Sequence, residues 1–405
     1  MVENKDKKVL NVPNLRFPEF EGEWEEHGLS EFLDFKNGLN PKPEKFGKGI
    51  KFISVMDILN NTIITYDSIK ACVDANNKEI DNYSVKMGDL LFQRSSETLE
   101  DVGRANVYMD EKPAIFGGFV IRGKKKGEYN PLFFKNLLET PFSRRKIIPM
   151  GAGAQHFNIG QEGLSKVKLY FAPINEQNKI AKILSLLDDR ISTQNKIIED
   201  LKKLKCAIID YTIETLQTDY IEFSEVYDMA GEGGTPSTSN MEYYENGCIP
   251  FVKIEDLKQK YLVSNKDHIT ELGLQKSSAW LIPTNSILFS NGATIGEISI
   301  TTYPVCTKQG ILGIVPKVNF DTEYLYYLMS SRYFKREICR IITEGTMKTA
   351  YLKDINKIRC PIPSKAIQQE IVSLPSVLNT KIEIEQRILE KFICQKQYLL
   401  RQMFI

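Results

Sequence analysis

Residues 180–208 read IAKILSLLDDRISTQNKIIEDLKKLKCAI, and residues 371–399 read IVSLPSVLNTKIEIEQRILEKFICQKQYL. In both stretches the seam positions recur at alternating steps of four and three, which is the spacing of a coiled coil. The two stretches align without a gap, and their polar seam positions coincide, Gln194 with Glu385 and Lys205 with Lys396. The apolar seam positions are Ile180, Leu184, Leu187, Ile191, Ile198, Leu201 and Ile208 in the first stretch, and Ile371, Leu378, Ile382, Leu389, Phe392 and Leu399 in the second.

The shared register predicts two long helices that pair with each other, because polar residues in a seam fix the register at some cost in stability. About 40 residues at about 1.5 Å each give a length of about 60 Å, which is longer than a small domain is wide. If the helices run antiparallel, two globular domains lie at opposite ends and are related by a pseudo-twofold axis. The alternative is two ordinary amphipathic helices on separate cores. Pro375 should kink the second helix or delay its start.

The rest of the chain also contains an internal repeat. Residues 29–34 match residues 223–228, residues 50–58 match residues 249–257, and Asp89–Gln93 corresponds to Ser286–Ser290. Short runs rich in Ile, Val, Phe and Tyr between Gly, Pro and Asn predict strands, whereas residues 131–147 and 322–342 have helical spacing. We therefore predict an α+β fold with two similar globular domains. The predicted segments are a first globular domain at 1–172 with a lead-in at 1–20, a central helix at 173–218, a second globular domain at 219–362, and a C-terminal helix at 363–405.

The composition is that of a globular protein in a reducing compartment. The 405 residues carry a net charge of +1, so any binding of a polyanion must depend on local basic patches. No two of the seven cysteines have C-x-x-C spacing, which favours a cytoplasmic location over a disulfide framework or a metal site. The charged N-terminus does not resemble a secretory signal, and no run of about 18 apolar residues predicts a membrane span.

No catalytic motif is present. The sequence contains no G-x-x-x-x-G-K-[ST] loop for ATP and no N-P-P-[YF] loop of an amino-methyltransferase. The segment Gly151–Ala154 neither follows a clear strand nor opens a helix, so it predicts a turn and not a nucleotide site. We therefore expect no enzymatic activity and no metal site in this chain alone.

Four stretches carry a resemblance to a known family. They are LRFPEFEGEW at 15–24, PTNSILFSNGATIG at 283–296, and two helix openings of the P-x-x-x-Q-x-x-I type, APINEQNKIA at 172–181 and PIPSKAIQQEI at 361–371, the second with one extra residue. Together with the duplicated domain and helix, they resemble the specificity subunits of Type I restriction–modification systems over the whole chain.

The resemblance implies a function without catalysis. Each globular domain would be a target-recognition domain that reads one half of an asymmetric, bipartite sequence of double-stranded DNA, and the paired helices would set the gap between the halves. The implied partners are two modification subunits, which methylate adenine, and two restriction subunits, which cleave DNA. S-adenosylmethionine, ATP and Mg2+ would bind to those partners, and no cofactor would bind to this chain.

Candidate DNA-binding residues lie in loops and basic clusters at corresponding places in the two repeats. Phosphate contacts need Lys and Arg, and bases are read mainly by Arg, Lys, Asn and Gln. Gly-containing loops at 151–157 and 345–349 precede the long helices and could approach a groove. The candidates are Gln93, Arg94, Ser95, Arg144, Arg145, Gln155 and His156 in the first repeat, and Ser290, Asn291, Lys308, Gln309, Arg332, Arg336, Lys348 and Thr349 in the second.

Other functions remain open at this point. A stand-alone sequence-specific DNA-binding protein would share the basic loops but would not need two helices in one register. A coiled-coil interaction protein would show no salt-dependent binding to DNA. An enzyme in its own right is disfavoured because the motifs named above are missing.

Overall fold

The computed structural model describes residues 11–292, 294–342 and 348–405, and the chain forms two compact units. The first unit comprises Met1–Asn195 with Arg387–Ile405, and the second comprises Lys196–Gln386. Each unit therefore combines a globular part with a portion of both long helices. These two units differ from the four segments predicted from the sequence, and the four-segment division stays a prediction.

The first unit is built from short strands and helices around one main core. Its strands are β1 (Glu25–Gly28), β2 (Leu33–Asn37), β3 (Phe46–Ile53), β4 (Cys72–Val73), β5 (Ser84–Val85), β6 (Leu90–Gln93), β7 (Ser95–Ser96), β8 (Ala105–Val107), β9 (Ala114–Phe116), β10 (Val120–Lys125), β11 (Phe157–Asn158) and β12 (Lys168–Phe171). Its helices are α1 (Leu29–Phe32), α2 (Val55–Asn60), α3 (Asn77–Tyr83), α4 (Pro131–Glu139), α5 (Pro141–Ile147) and α6 (Gln161–Lys166). Helix α7 (Ile174–Thr215) follows, with its first half in this unit.

The second unit has a similar set of elements. Its strands are β13 (Tyr220–Glu222), β14 (Tyr227–Glu232), β15 (Ile249–Val252), β16 (Tyr261–Leu262), β17 (Asp267–Ile269), β18 (Ile287–Ser290), β19 (Ile298–Thr301), β20 (Cys306–Thr307), β21 (Ile311–Pro316) and β22 (Arg359–Pro361). Its helices are α8 (Glu271–Gln275), α9 (Thr322–Ser330), α10 (Arg332–Ile341) and α11 (Leu352–Ile355), followed by the start of α12 (Lys365–Gln402).

The sheets of the two units correspond, which confirms the predicted α+β class and the duplication. In the first unit an antiparallel sheet has the strand order β2-β10-β6-β8, and in the second unit the order β14-β21-β18-β19 is followed by the parallel strand β16. Another sheet contains the parallel pair β3–β9 in the first unit and the parallel pair β15–β20 in the second. The two-stranded ladders β1–β12 and β13–β22 also correspond.

The predicted helices at 131–147 and 322–342 are each broken in two. Thr140 ends α4 and caps α5, because its hydroxyl accepts a hydrogen bond from the Ser143 backbone N–H at 3.2 Å. In the second unit Ser331 does the same between α9 and α10, since its hydroxyl accepts from the Phe334 N–H at 3.3 Å. A side-chain cap satisfies one of the unpaired N–H groups of a new helix, so each break stabilises the helix that follows.

The glutamine of the P-x-x-x-Q-x-x-I motif fastens each long helix to its own globular part. In the first unit the Gln177 side chain accepts from the Asn130 N–H at 2.9 Å and donates to the Ala172 carbonyl at 2.8 Å. In the second unit Gln368 accepts from the Asp321 N–H at 2.8 Å and donates to the Pro363 carbonyl at 2.8 Å. Because both amides are buried, each joins a long helix to the start of α4 or α9 without leaving a polar group unpaired.

The long helices pack against each other within each unit. In the first unit Leu184 and Leu399 share the main core, and Asp188 forms an ion pair with Lys396 at 2.6 Å. A later residue of α7 therefore contacts an earlier residue of α12, so the two helices run antiparallel in this unit.

The second unit repeats the arrangement with the other halves of the helices. Lys205 of α7 donates to the Asn379 side chain at 2.8 Å, and Ile209 and Val372 share one core. Here too the helices are antiparallel, and the alternative of two unrelated amphipathic helices is wrong.

The seam of the long helices follows the heptad positions, with one shift. Each predicted apolar seam position is buried or half-buried, whereas neighbours such as Ile183 and Leu204 are exposed. After Lys205 the fully buried residues of α7 are Ile209 and Ile213, and Ile208 is half-buried. Pro375 does not delay the second helix, because α12 starts at Lys365 and includes Pro375, and the other expected effect, a kink, stays a prediction. Among the described residues no helix is both long and apolar enough to cross a bilayer.

Candidate nucleic-acid interface

Three loops of the first unit meet at Arg94, the residue after strand β6. Its backbone N–H donates to the Phe119 carbonyl at 2.8 Å, and its carbonyl accepts from the Ile159 N–H at 2.9 Å. Its guanidinium also donates to the Gly118 carbonyl at 3.2 Å. We call residues 93–96, 117–119 and 151–159 the first three-loop cluster.

A small hairpin presents the polar tip of this cluster. Ala152 and Asn158 exchange two backbone hydrogen bonds, of 2.9 and 3.0 Å, and Gln155 and His156 are exposed at the turn between them. Gly153 has a φ of +148°, and a Cβ there would collide with the His156 carbonyl, so the turn requires glycine. At the base of the hairpin the Ser95 hydroxyl donates to the Asn158 side chain at 2.5 Å.

The second unit repeats this junction at Asn291, the residue after strand β18. The Asn291 N–H donates to the Gly310 carbonyl at 3.0 Å, and its carbonyl accepts from the Ala350 N–H at 2.9 Å. Its side chain adds a bond to the Ala350 carbonyl at 3.2 Å. Residues 290–292, 308–310 and 348–350 form the second three-loop cluster. These three segments are separate candidate loops in the sequence, and the structure brings them together.

The candidates of the second three-loop cluster divide into supporting and outward-facing residues. Ser290 is buried, and its hydroxyl donates to the Thr294 carbonyl at 2.5 Å and accepts from the Glu297 N–H at 2.8 Å. Lys308, Gln309 and Lys348 are exposed, and Thr349 is half-buried. Ala293 and residues 345–347, which belong to the same candidate loops, lie outside the described residues.

The two arginines of helix α5 have different surroundings. Arg144 donates to the carbonyls of Glu100 and Val102 at 2.8 and 2.6 Å, and burial, followed by the charge of Arg104, lowers the pKa of its guanidinium to about 10. These contacts favour a structural role in holding the 100–102 turn. Arg145 is exposed and lies 5.5 Å from the Phe142 ring, so its charge is available to an external anion.

Arg332 and Arg336 lie beside helix α7 and outside the second three-loop cluster. Asp210 accepts from the Arg332 backbone N–H at 2.7 Å and lies 3.7 Å from its guanidinium. Arg336 lies 5.7 Å from the Tyr333 ring and 3.9 Å from the Glu337 carboxylate. Both side chains are exposed and line a 720 Å3 groove of the second unit.

Two features of the site were not anticipated from the sequence. Phe119 is 67% exposed at the edge of the first three-loop cluster, although an aromatic residue in this apolar run would be expected in the core. The preceding Gly117 and Gly118 are the only local signal for an exposed turn. In the second unit Lys260 is buried and donates to Glu323, Tyr327 and Ser376, and nothing in the pattern around it predicts those partners.

A duplicated domain with matching loop junctions and paired long helices defines a class of protein with two similar recognition units. The chain belongs to the family of the Type I restriction modification DNA specificity domain, which matches residues 21–203 and again residues 218–392.

Individual proteins similar to this chain are specificity subunits of Type I systems. The chain is 22% identical to the Type I restriction enzyme MjaVIII specificity subunit of Methanocaldococcus jannaschii, over 95% of this chain and 93% of that protein. It is 31% identical to the MjaIX specificity subunit of the same organism, over 43% of this chain and 41% of that protein. The crystal structure of the Type I restriction–modification S subunit from M. genitalium has a similar fold, with a TM-score of 0.57, 16% identity, and coverage of 97% of this chain and 99% of that chain.

Proposed function

We propose that this chain is the DNA specificity subunit of a Type I restriction–modification system, and that its two units read the two halves of one asymmetric DNA sequence. The observation that carries the proposal is the repeated loop junction. At Arg94 and at Asn291 the same two backbone hydrogen bonds gather three loops that expose polar side chains. Two similar readers in one chain suit a target with two half-sites.

The residues at the two clusters differ, which supports an asymmetric target. The first three-loop cluster exposes Gln155 and His156, and the second exposes Lys308, Gln309 and Lys348. Amide side chains suit adenine, and lysine suits guanine or a phosphate. Different side chains at equivalent places would therefore select different bases in the two half-sites.

Exposed cations outside the clusters would hold the DNA backbone. Arg145 of the first unit and Arg336 of the second each lie against an aromatic ring and lack a close carboxylate at hydrogen-bond distance among the described residues. Phosphate contacts position a protein on DNA without reading its sequence. Binding should therefore weaken steeply as salt concentration rises.

We further propose that the long helices bind the partner subunits. In the second unit Ile197, Leu204 and Tyr211 recur at every seventh position of α7 and are 40%, 49% and 71% exposed. This exposed apolar stripe flanks the seam that faces α12, and an exposed apolar stripe on a helix suits contact with another protein. The proposed partners are two modification subunits, which would bind S-adenosylmethionine, and two restriction subunits, which would bind ATP and Mg2+, in the cytoplasm.

A co-expression experiment tests the function directly. The full chain is produced with the methyltransferase subunit encoded beside it, and methylated adenines are mapped by sequencing. We expect one motif with two different halves and a fixed gap. Methylation without a defined motif, or no association with the methyltransferase, would overturn the proposal.

The same strain tests the partner surface. Leu204→Asp should reduce co-purification of the methyltransferase at least tenfold, because a carboxylate would interrupt the apolar stripe. Lys202→Asp introduces a carboxylate at an exposed, charged position of the same helix and serves as the control. Equal recovery with both variants would place the partner elsewhere.

A further inference from the structure

A cleft of about 840 Å3 opens beside the first three-loop cluster. Gln93, Gly118 and Phe119 form part of one wall, and the segment 39–59 forms the other. The second wall is apolar and unusually exposed, since Phe46, Met56 and Leu59 are 45%, 61% and 42% exposed. The cleft therefore offers flat, apolar surfaces at the edge of the proposed DNA interface.

Gln93 lines the cleft and has a side-chain oxygen that accepts no hydrogen bond among the described residues. The side chain is 5% exposed and its amide N–H donates to the Ser95 carbonyl at 3.0 Å. Its carbonyl oxygen is covered and has no hydrogen-bond partner among the described residues. A buried acceptor without a donor is costly, and native proteins seldom retain one without a reason. Because the oxygen is closed to solvent in this structure, the missing partner would be an N–H donor that enters the cleft and meets the oxygen once the Gln93 side chain turns toward it.

Backbone contacts fix the position of Phe119 at the rim of the cleft. Its carbonyl is bound by the Arg94 N–H, and Gly118 before it packs so closely on Asn40 that a Cβ would collide. The ring is nevertheless 67% exposed. Apolar side chains held outward at a DNA surface act as wedges that separate stacked bases.

The second unit differs at the positions equivalent to Phe119 and Gln93, although the buried Asn291 side-chain oxygen also has no hydrogen-bond partner among the described residues. Strand register pairs Val120 with Gln93 in the first unit and Ile311 with Ser290 in the second, so Gly310 takes the place of Phe119 and Ser290 takes the place of Gln93. The Ser290 hydroxyl already has two partners, Thr294 and Glu297. The exposed Phe119 ring therefore distinguishes the first three-loop cluster from the second.

We infer that the first-unit cleft receives one nucleobase rotated out of the DNA duplex, with Phe119 filling the gap in the stack and the Gln93 carbonyl accepting from the base's exocyclic amino group. Base edges that stay paired are read by protein groups that project into a groove. Gln93 instead lies in a concavity, so only a base that leaves the stack could reach it. Adenine and cytosine carry the required amino group. Apolar walls with a few hydrogen bonds to the base are how flipped bases are held.

This inference rests on the proposed function, and the test separates the two. Duplexes of the mapped target carry 2-aminopurine or pyrrolo-cytosine at one position of the half-site at a time, with the methylated adenine left out. Because 2-aminopurine lacks the 6-amino group of adenine, these probes report unstacking only. The full chain is added, fluorescence is measured on the labelled duplexes, and gel-shift affinity is measured on the unlabelled target. We expect one position whose fluorescence rises at least fivefold on binding, because an unstacked probe is no longer quenched.

Three variants assign that signal to the cleft. Phe119→Ala should bring the fluorescence within twofold of that of free DNA. Gln93→Met should weaken binding about tenfold, since one base contact is lost, and an abasic site at that position should remove the difference between Gln93→Met and the wild type. Met87→Ala changes an exposed apolar residue of the same unit that does not line the cleft, and should alter neither measurement.

The outcomes are distinct. Sequence-specific binding with every probe still quenched overturns the extruded base and leaves the proposed function intact. A fluorescence rise that survives Phe119→Ala and Gln93→Met also overturns it, because the base would then lie elsewhere. Absence of sequence-specific binding overturns the proposed function, and the inference with it.

Discussion

Replacing Lys260 with methionine should destabilise the second unit by about 3 kcal/mol. The Lys260 side chain is 4% exposed, and its ammonium donates to the Glu323 carboxylate at 2.5 Å, the Tyr327 hydroxyl at 3.0 Å and the Ser376 hydroxyl at 3.1 Å. These bonds use its three N–H donors. Since Ser376 belongs to α12 and Glu323 and Tyr327 belong to α9, the lysine joins the long helix to the globular part of its unit.

The magnitude follows from what the substitution leaves behind. Methionine refills the aliphatic volume, so little cavity cost is expected. The Glu323 carboxylate loses its counter-charge and keeps the hydroxyls of Tyr261 and Ser376 as donors. Removing one partner of a buried ion pair costs about 3–5 kcal/mol, and the 30% exposure of the Glu323 side chain places this pair at the lower end.

The pH dependence gives the same pair a second signature. Burial opposes the charge of Lys260, but hydrogen bonds to Glu323 and Tyr327 outweigh it and raise the pKa of the ammonium. Burial likewise opposes the charge of Glu323, but hydrogen bonds with Lys260, Tyr261 and Ser376 lower the pKa of the carboxyl. The lysine's contribution is present below its unfolded pKa and is lost as pH rises through the raised folded value. The carboxylate's contribution is present above its unfolded pKa and is lost as pH falls through the lowered folded value. The stability difference should be constant between about pH 5 and about pH 9.

Urea unfolding of the full chain in a Trp24→Phe background measures this effect. Trp280 is then the one tryptophan, and it lies in the second unit, so its fluorescence follows that unit. Lys253→Met is the control, because Lys253 pairs with Asp267 at 2.8 Å with both side chains more than a third exposed, and such pairs contribute at most about 1 kcal/mol. The double variant Lys260→Met/Glu323→Gln should recover about 2 kcal/mol. A loss for Lys260→Met no larger than for Lys253→Met would refute the reasoning.

Further outcomes follow from other contacts. Arg94→Ala and Lys348→Ala should each weaken binding of the mapped target about tenfold, within the range of one base or phosphate contact, and a gel-shift titration with unchanged affinity for both would remove these assignments. If Lys348 contacts a phosphate, its loss should also reduce the slope of log K against log salt by about 1. Gln368→Ala should cost about 2 kcal/mol in the same urea assay, because the Asp321 N–H and the Pro363 carbonyl lose their partner; a cost below about 0.5 kcal/mol would mean that water replaces it. Cys306 and Cys360 should resist a thiol reagent in the native protein, since burial raises the pKa of their thiols to about 11 and about 12, whereas the exposed Cys206, Cys248, Cys339 and Cys394 should react; rapid modification of Cys360 would contradict its buried position.

The architecture was predictable because its signals are periodic and duplicated. Heptad spacing marks the buried side of α7 and α12, and the repeat of short motifs predicts two similar α+β domains. The breaks at Thr140 and Ser331 were missed, although a threonine before Pro141 is a recognisable helix start. In both places the helical spacing of apolar residues continues across the capping residue, so the hydrophobic pattern alone predicts one helix.

The candidate site was predictable by loop but not by side chain. Arg144 and Arg145 are adjacent and look equivalent in the sequence, yet one binds backbone carbonyls and the other is exposed. That difference depends on the turn at 100–102, which is distant in sequence. The junctions at Arg94 and Asn291 use backbone groups that every residue other than proline possesses, so no residue type reveals them.

That last feature bears on how such a protein changes over evolutionary time. Because main-chain atoms fasten the loops at Arg94 and Asn291, the amino acids at the tips can be exchanged with little risk to folding. A lineage could therefore acquire a new target by a few substitutions in one unit while the other unit keeps its preference. The amino acids at the loop tips would then change faster over time than the fold that carries them.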